Sequence, residues 1–453
     1  MTSTLHSLRR PEFDRKLDLT WVRSNFPSLA RTINHQPVAF LDGPGGTQVT
    51  QSVIDAIGHY LKTSNANTHG PFATSCETDA VIAGARSAMG DFLGSQPDEI
   101  VFGPNMSTLT FAISRSIGRE LNPGDEILLT HLDHSANVSP WQALEERGVK
   151  VQFLDIREED CTLDMEDLGR KLSSRTKVVA VGYASNAVGT INDVKTIIRR
   201  AHDVGAVAYI DAVHYAPHGL MDVRELDCDF LVCSTYKFFG PHMGVLYGKR
   251  EHLQRLHPYK VRPNTDMAPS RWEMGTLNHE SIAGITACVD YLAELGRRTA
   301  DQVDSDQLGR DLEFPSPGDS TEATSDDARR RAKSRRDLLR AAYRAIQSHE
   351  RELSLRMLSG LAEIPGLHLY GIADPGRITS RCPTFAVRIK DHHPANLARK
   401  LGDRGIFTWD GNYYALNLTE RLGVERDGGF LRIGLVHYNT PDEVDRVIEG
   451  LRT

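Results

Sequence analysis

The stretch Cys233–Gly248, CSTYKFFGPHMGVLYG, holds one lysine, Lys237, in a loop of Ser, Thr, Tyr and Gly between two apolar runs. FLVCST before it and MGVLYG after it read as short strands covered on both faces. Upstream, a third such run, VAYIDAVH, ends at an acid, Asp211. Further out the pattern alternates. EIVFG (99–103), EILLT (126–130), VQFLDI and KVVAVGYA are strand-like, while STLTFAISRSIGREL (107–121), SPWQALEERG (139–148), MEDLGRKL and DVKTIIRRAHDVG have helical spacing. Such alternation predicts an α/β fold with a mostly parallel sheet flanked by helices. Ligands of such sheets sit at the carboxyl ends of the strands. His134, Asn186, Asp211 and Lys237 all fall there.

A chain of 453 residues with a net charge of −7 predicts about two domains and argues against a nucleic-acid binder. No apolar run is long enough to span a membrane, and the first residues lack the apolar core of a secretion signal. The six cysteines show no CxxC pair, so reduced thiols, a cytoplasmic location and no metal are expected. Near residue 297 the composition turns polar and charged. We expect a solvated insertion at about 299–335 leading into a helix from about 326 to 362. The expected domains are an N-terminal segment (1–35), a large domain (36–290) and a smaller α+β domain (291–453). The N-terminal segment is expected to pack on the small domain, and TWDGNYYALNL (408–418) to be a loop.

A strand-end lysine near a strand-end acid suits pyridoxal 5′-phosphate (PLP). The amine forms the Schiff base, and the acid keeps the pyridine nitrogen protonated so that the ring accepts carbanion charge. The phosphate wants amides at a helix start and short hydroxyls, which PNMSTLT (104–110) offers through Asn105, Met106 and Ser107, with Ser234 beside them. His134 is a flat group for the ring face, and Asn186 a donor for the phenolic oxygen. Each of these taken alone also reads as an ordinary cap, turn or structural residue.

The ordered blocks LDGPGGTQV (41–49), NTHG (67–70), VFGPNMST (101–108), LDHSAN (132–137), SNAVGT (185–190), DAVH (211–214), STYKFFGP (234–241), RWEMGT (271–276) and RIGLVHYNT (432–440) resemble the class V aminotransferase family, cysteine desulfurase branch. The resemblance implies a fold-type I PLP enzyme with a large and a small domain, and a homodimer. It implies Lys237 as the cofactor lysine, Asp211 as the pyridinium partner, His134 as the stacking group and Asn186 on the phenolic oxygen. Met106, Ser107 and Ser234 become phosphate ligands, with Thr276 supplied across the dimer interface. Arg432 becomes the clamp for a substrate α-carboxylate, which suits a guanidinium fork. His69 becomes a further substrate-site residue.

Two departures stand out. His214 and Tyr236 replace the family's usual Gln and His, and both keep the ability to bond the cofactor. The stretch GIFTWDGNYYALNL (405–418) lacks the nucleophilic cysteine that desulfurases carry there, and places Trp409 and Tyr414 at the substrate instead. The expected activity is C–S cleavage by β-elimination from cysteine or an S-substituted cysteine, without a protein persulfide. The alternatives are an amino-acid epimerase or aminotransferase, or a non-catalytic binding partner of the same fold.

Overall fold

The computed structural model of the chain describes residues 17–308 and 334–452. Its main sheet has seven strands: β1 (Ile100–Gly103), β2 (Glu126–Thr130), β3 (Lys150–Leu154), β4 (Thr176–Gly182), β5 (Val207–Asp211), β6 (Phe230–Ser234) and β7 (Gly244–Gly248). The spatial order is β1-β7-β6-β5-β4-β2-β3. Pairs β6–β5, β5–β4, β4–β2 and β2–β3 are parallel, whereas β7 runs antiparallel to both neighbours. Every residue of β2, β6 and β7 is buried, which is why these segments read as unbroken apolar runs. The run 139–148 forms one α-turn (Ser139–Gln142) and a 3-10 turn (Ala143–Arg147) rather than a single helix, stopped by Gly148 at φ +82°.

The smaller sheet is antiparallel. It comprises β8 (Leu367–Tyr370), β9 (Thr384–Ile389), β10 (Trp409–Gly411) and β11 (Phe430–Gly434), in the order β8-β9-β11-β10. Residues 408–418 are thus not simply a loop. Trp409 pairs with Arg432 as an edge strand, and a short helix, Leu416–Arg421, follows. Alternation along β11 decides its chemistry: Leu431 and Ile433 enter the small-domain core, so Arg432 faces the other way, toward the large sheet.

The helix His279–Leu308 runs through the expected boundary at 290/291, and its partner Arg335–Ala362 starts at a Ser334 cap. The two helices cross closely, because a Cβ on Gly296 would meet the Leu338 carbonyl. The charged segment 309–333, including the expected helix start near 326, lies outside the described residues, as do residues 1–16. The described N-terminal part touches both domains. Phe26 sits edge-on to Phe239 and Tyr438, and Arg23 Nη1 reaches the Tyr438 carbonyl at 2.7 Å and Glu443 at 3.0 Å.

One contact pins the entrance of the first helix after β1, Met106–Gly118. A Cβ on Gly244 would lie 2.3 Å from the Asn105 carbonyl carbon and 2.7 Å from the Met106 amide. Backbone cannot yield there as a flexible side chain would. We therefore expect Gly244→Ala to cost about 1–3 kcal/mol in urea unfolding, whereas Gly58→Ala, which meets nothing within 4 Å, is expected to be neutral or stabilising.

Candidate active site

Lys237 occupies the last position of a 3-10 turn (Thr235–Lys237) that follows β6 directly. The buried Thr235 carbonyl accepts from the amides of Phe238 and Gly240, so the lysine backbone is fixed by its own turn. Its Nζ donates to the Pro44 carbonyl at 2.5 Å and lies 4.7 Å from the Tyr236 ring centre. Burial, with Arg432 nearby, pushes the amine down to about 7. Near neutral pH a large fraction is therefore unprotonated, which is the nucleophilic and basic form.

Asp211, the last residue of β5, accepts from the Val213 amide at 2.9 Å. Burial raises its carboxyl to about 6, against the pull of that amide and of Lys237. Asp133 is a second acid on the cavity wall. Its Oδ1 accepts from the Gly182 amide at 2.5 Å, and its Oδ2 is buried without a partner among the described residues. Burial, with Asp211 close by, raises it to about 8. His134 caps a short 3-10 turn, Nδ1 accepting from the Ala136 amide at 2.9 Å, so its hydrogen sits on Nε2. Burial and the neighbouring cations hold this imidazole down at about 4, which keeps it neutral and suited to lie against a ring.

The opposite rim is the start of the helix Met106–Gly118. Asn105 Oδ1 takes the Thr108 amide at 2.8 Å, leaving the first-turn amides of Met106 and Ser107 for an anion. Ser107 and Ser234 line the same cavity. Asn186 Nδ2 gives one hydrogen to the Tyr413 carbonyl at 2.9 Å and keeps a second donor.

Arg432 is 4 % exposed, and its Nη1 donates to the Asn186 carbonyl at 2.9 Å. Among the described residues it forms no ion pair. Burial brings it to about 10, still charged at neutral pH. The guanidinium stacks 4.0 Å from the Tyr413 ring centre. Tyr413 and Tyr414 both have left-handed backbones, φ +55° and +61°, held by an Asn412 side chain that accepts from the Tyr414 amide at 3.0 Å. Left-handed backbone is costly for bulky tyrosines and persists here because the surrounding contacts fix it. Tyr414, 71 % exposed, places its ring 5.4 Å from that of His134, and its carbonyl accepts from Ser135. Trp409, half exposed, lies against Gly45 at the mouth.

Most of the sequence-predicted residues therefore meet in one cavity of about 1000 Å³. Met106, Ser107, His134, Asn186, Asp211, His214, Ser234, Tyr236, Lys237, Trp409, Tyr414 and Arg432 all line it. His69 and Thr276 do not: both are exposed, and His69 Nδ1 pairs with Asp79 at 3.2 Å. Asp133, Tyr413 and the Pro44 carbonyl belong to the site but were not singled out by sequence. The block LDHSAN held the signal for Asp133, an acid beside His134, whereas no local pattern announces the Tyr413 backbone.

The donor set fits PLP. A partly neutral amine, a buried acid without an ion-pair partner among the described residues, a flat neutral imidazole and a free helix start with two serine hydroxyls match its aldehyde, ring nitrogen, ring face and phosphate.

The comparisons agree with this chemistry. The family described as Aminotransferase class-V matches residues 39–310 and 337–447. A cysteine desulfurase of Pectobacterium carotovorum is 32 % identical over 448 residues, covering 95 % of this chain and 96 % of that one. A probable cysteine desulfurase of Halalkalibacterium halodurans is 30 % identical, covering 95 % and 96 %. Among solved structures, the apo cysteine desulfurase of Thermococcus onnurineus superposes with a TM-score of 0.77 at 24 % identity, covering 99 % and 98 % of the two chains. The cysteine desulfurase CsdA of Escherichia coli gives 0.76 at 24 % identity, covering 96 % and 97 %. These neighbours carry the fold.

The depressed lysine makes a stability prediction for the cofactor-free protein. Its amine titrates near 7 when folded and at the ordinary 10.5 when unfolded. Between these values the unfolded chain binds more protons, so this group's penalty is full below pH 7 and fades as pH rises toward 10.5. Lys237→Met is therefore expected to be more stable than wild type at pH 6.5, by an amount that shrinks by up to about 1.4 kcal/mol per pH unit above 7. Urea unfolding of both proteins across that range measures it, and a pH-independent difference contradicts the depressed amine.

Proposed function

We propose, for a chain that belongs to the class V aminotransferase family and is a PLP-dependent, cysteine desulfurase-like enzyme of fold type I, that it cleaves the C–S bond of cysteine or an S-substituted cysteine by β-elimination without a protein persulfide. The observation that carries this reading is the cavity wall at Trp409–Tyr414, where no thiol is present. None of the six cysteines lines the cavity; five are buried, and Cys76 alone is exposed, on the helix Ala73–Leu93.

The cofactor, when bound, supplies an electron sink for charge developing at the substrate α-carbon. The remaining steps fall to this chain's residues. Arg432, buried and without a carboxylate partner among the described residues, takes the α-carboxylate and fixes the substrate's orientation. Lys237, once its amine is free and unprotonated, removes the α-proton as general base. Asp211, as the carboxylate, would hold a proton at the ring nitrogen. His134 would cover the ring face and, being neutral, adds no positive charge that would oppose protonation of the ring nitrogen. The C–S bond then breaks with its electron pair leaving on sulfur, which departs as thiolate or sulfide. The released enamine takes up water to give pyruvate and ammonia. The step is redox-neutral, so no external oxidant or reductant enters.

Trp409, Tyr414, Asn412 and Glu425 line the same cavity as Arg432, and an S-substituent would pack against the two aromatic faces. His69 and Thr276 act in this reading across a homodimer interface, Thr276 on the partner's cofactor phosphate.

Purified holoenzyme given S-substituted cysteines is expected to release equimolar pyruvate and thiol. Cys76→Ser is expected to retain at least about half of that rate, and a loss of turnover with folding and cofactor content intact would restore a persulfide route. Arg432→Ala is expected to lower kcat/KM about 30-fold to 1000-fold, as loss of a charge-assisted carboxylate contact does, while cofactor absorbance stays unchanged. Inverted α-carbon or accumulated pyridoxamine phosphate in place of pyruvate would replace elimination by epimerisation or transamination.

A further inference from the structure

We propose that His214, His218 and Cys382 form a binding site for a thiophilic divalent cation, zinc above all, at the seam between the two domains. The sequence HYAPH sets the two histidines four residues apart just after β5. The chain turns helically there, with Ala216 N bonding the Ala212 carbonyl at 2.9 Å and Gly219 N the Tyr215 carbonyl at 3.0 Å. That turn puts both imidazoles on one side, the spacing by which helical turns present paired metal ligands. The thiol comes from the other domain, two residues before β9. All three side chains are buried, and their ligand atoms lie within 4.8 Å of one another. Tetrahedral zinc, with nitrogen at about 2.0 Å and sulfur at about 2.3 Å, holds its ligands about 3.3–3.6 Å apart, so closure asks for shifts of about 1 Å.

Second contacts prepare the donors. Glu350 Oε2 sits 2.9 Å from His218 Nδ1, which fixes the hydrogen on that nitrogen and leaves Nε2 as a lone pair, the usual carboxylate–histidine–metal relay. Glu350 Oε1 is buried with no partner among the described residues. Thr384 Oγ1, 3.1 Å from His214 Nε2, offers an oxygen for the fourth position. A void of about 40 Å³ adjoins two of the donors, His218 and Cys382, together with Glu350, and His214 does not border it. Arg381 and Arg351 also border it. The Arg381 guanidinium is directed to the Ile372 and Thr384 carbonyls and lies 4.2 Å from the Phe385 ring centre. The Cys382 thiolate and the Glu350 carboxylate offset the dication. Binding displaces the Cys382 proton to solvent, with no change of oxidation state. Because His214 also lines the large cavity, the ion would fasten the small domain behind the cofactor site.

The test uses holoenzyme stripped with a chelator, dialysed against micromolar zinc, and read by metal analysis and zinc-edge X-ray absorption. One zinc per chain is expected, with one sulfur near 2.3 Å and nitrogens near 2.0 Å. Glu350→Gln, which keeps shape, is expected to weaken zinc about 10-fold to 100-fold. Cys382→Ser is expected to lose the sulfur shell, whereas Cys76→Ser keeps it. No retained zinc, a shell of nitrogen and oxygen only, or a sulfur signal that disappears with Cys76→Ser overturns the proposal. If Cys382→Ser does not fold, the wild-type sulfur shell and the Glu350→Gln affinity decide the matter without it.

Discussion

Three charges are held out of water in one cavity, and among the described residues none of them has an ion-pair partner. Asp211 and Arg432 are less than a tenth exposed, and the Lys237 amine reaches only a proline carbonyl. Burying isolated charges is costly, and a chain left to itself shifts or neutralises them. Both the lysine and the aspartate are driven toward their neutral forms for that reason. In the function proposed above the arrangement is half of a complex, with an aldehyde for the amine, a ring nitrogen for the acid and a carboxylate for the guanidinium, the other half being PLP and an amino-acid substrate.

The fold exists to hold those groups against their own repulsion and desolvation. Lys237 and Asp211 are carried by adjacent parallel strands, β6 and β5, whose register is locked between two buried faces. Arg432 arrives from a different sheet, and the two-residue period of β11 aims it away from its own core. The segment Leu41–Gly46 closes the seam: Gly434 N bonds the Leu41 carbonyl at 2.8 Å, Pro44 packs on Gly434, and the Pro44 carbonyl receives Lys237. A movement of the small domain would therefore shift Arg432 and the lysine's environment together.

Much of this was legible in the chain. Unbroken apolar runs ending at Asp211 and before Lys237 disclosed both the parallel sheet and its ligand edge, because burial on two faces leaves no alternation to confuse them. The antiparallel course of β7 was not legible, since direction leaves no mark on a strand's composition. Trp409–Gly411 read as loop because edge strands are short and polar, and only its pairing with β11 defines it. Tyr413 stood in the loop that lacks the cysteine, but its positive φ has no sequence signature. The His214–His218 spacing was visible, but its third donor, Cys382, lies far along the chain and is joined to it only by domain packing.

The central claim is that the buried amine of Lys237 is the covalent anchor of PLP, opposite the acid at the end of β5. Borohydride reduction of the holoenzyme followed by peptide mass spectrometry tests it most directly. The account predicts a single phosphopyridoxyl label on the peptide containing Lys237. A label on any other lysine, or cofactor that remains removable after reduction, would contradict it.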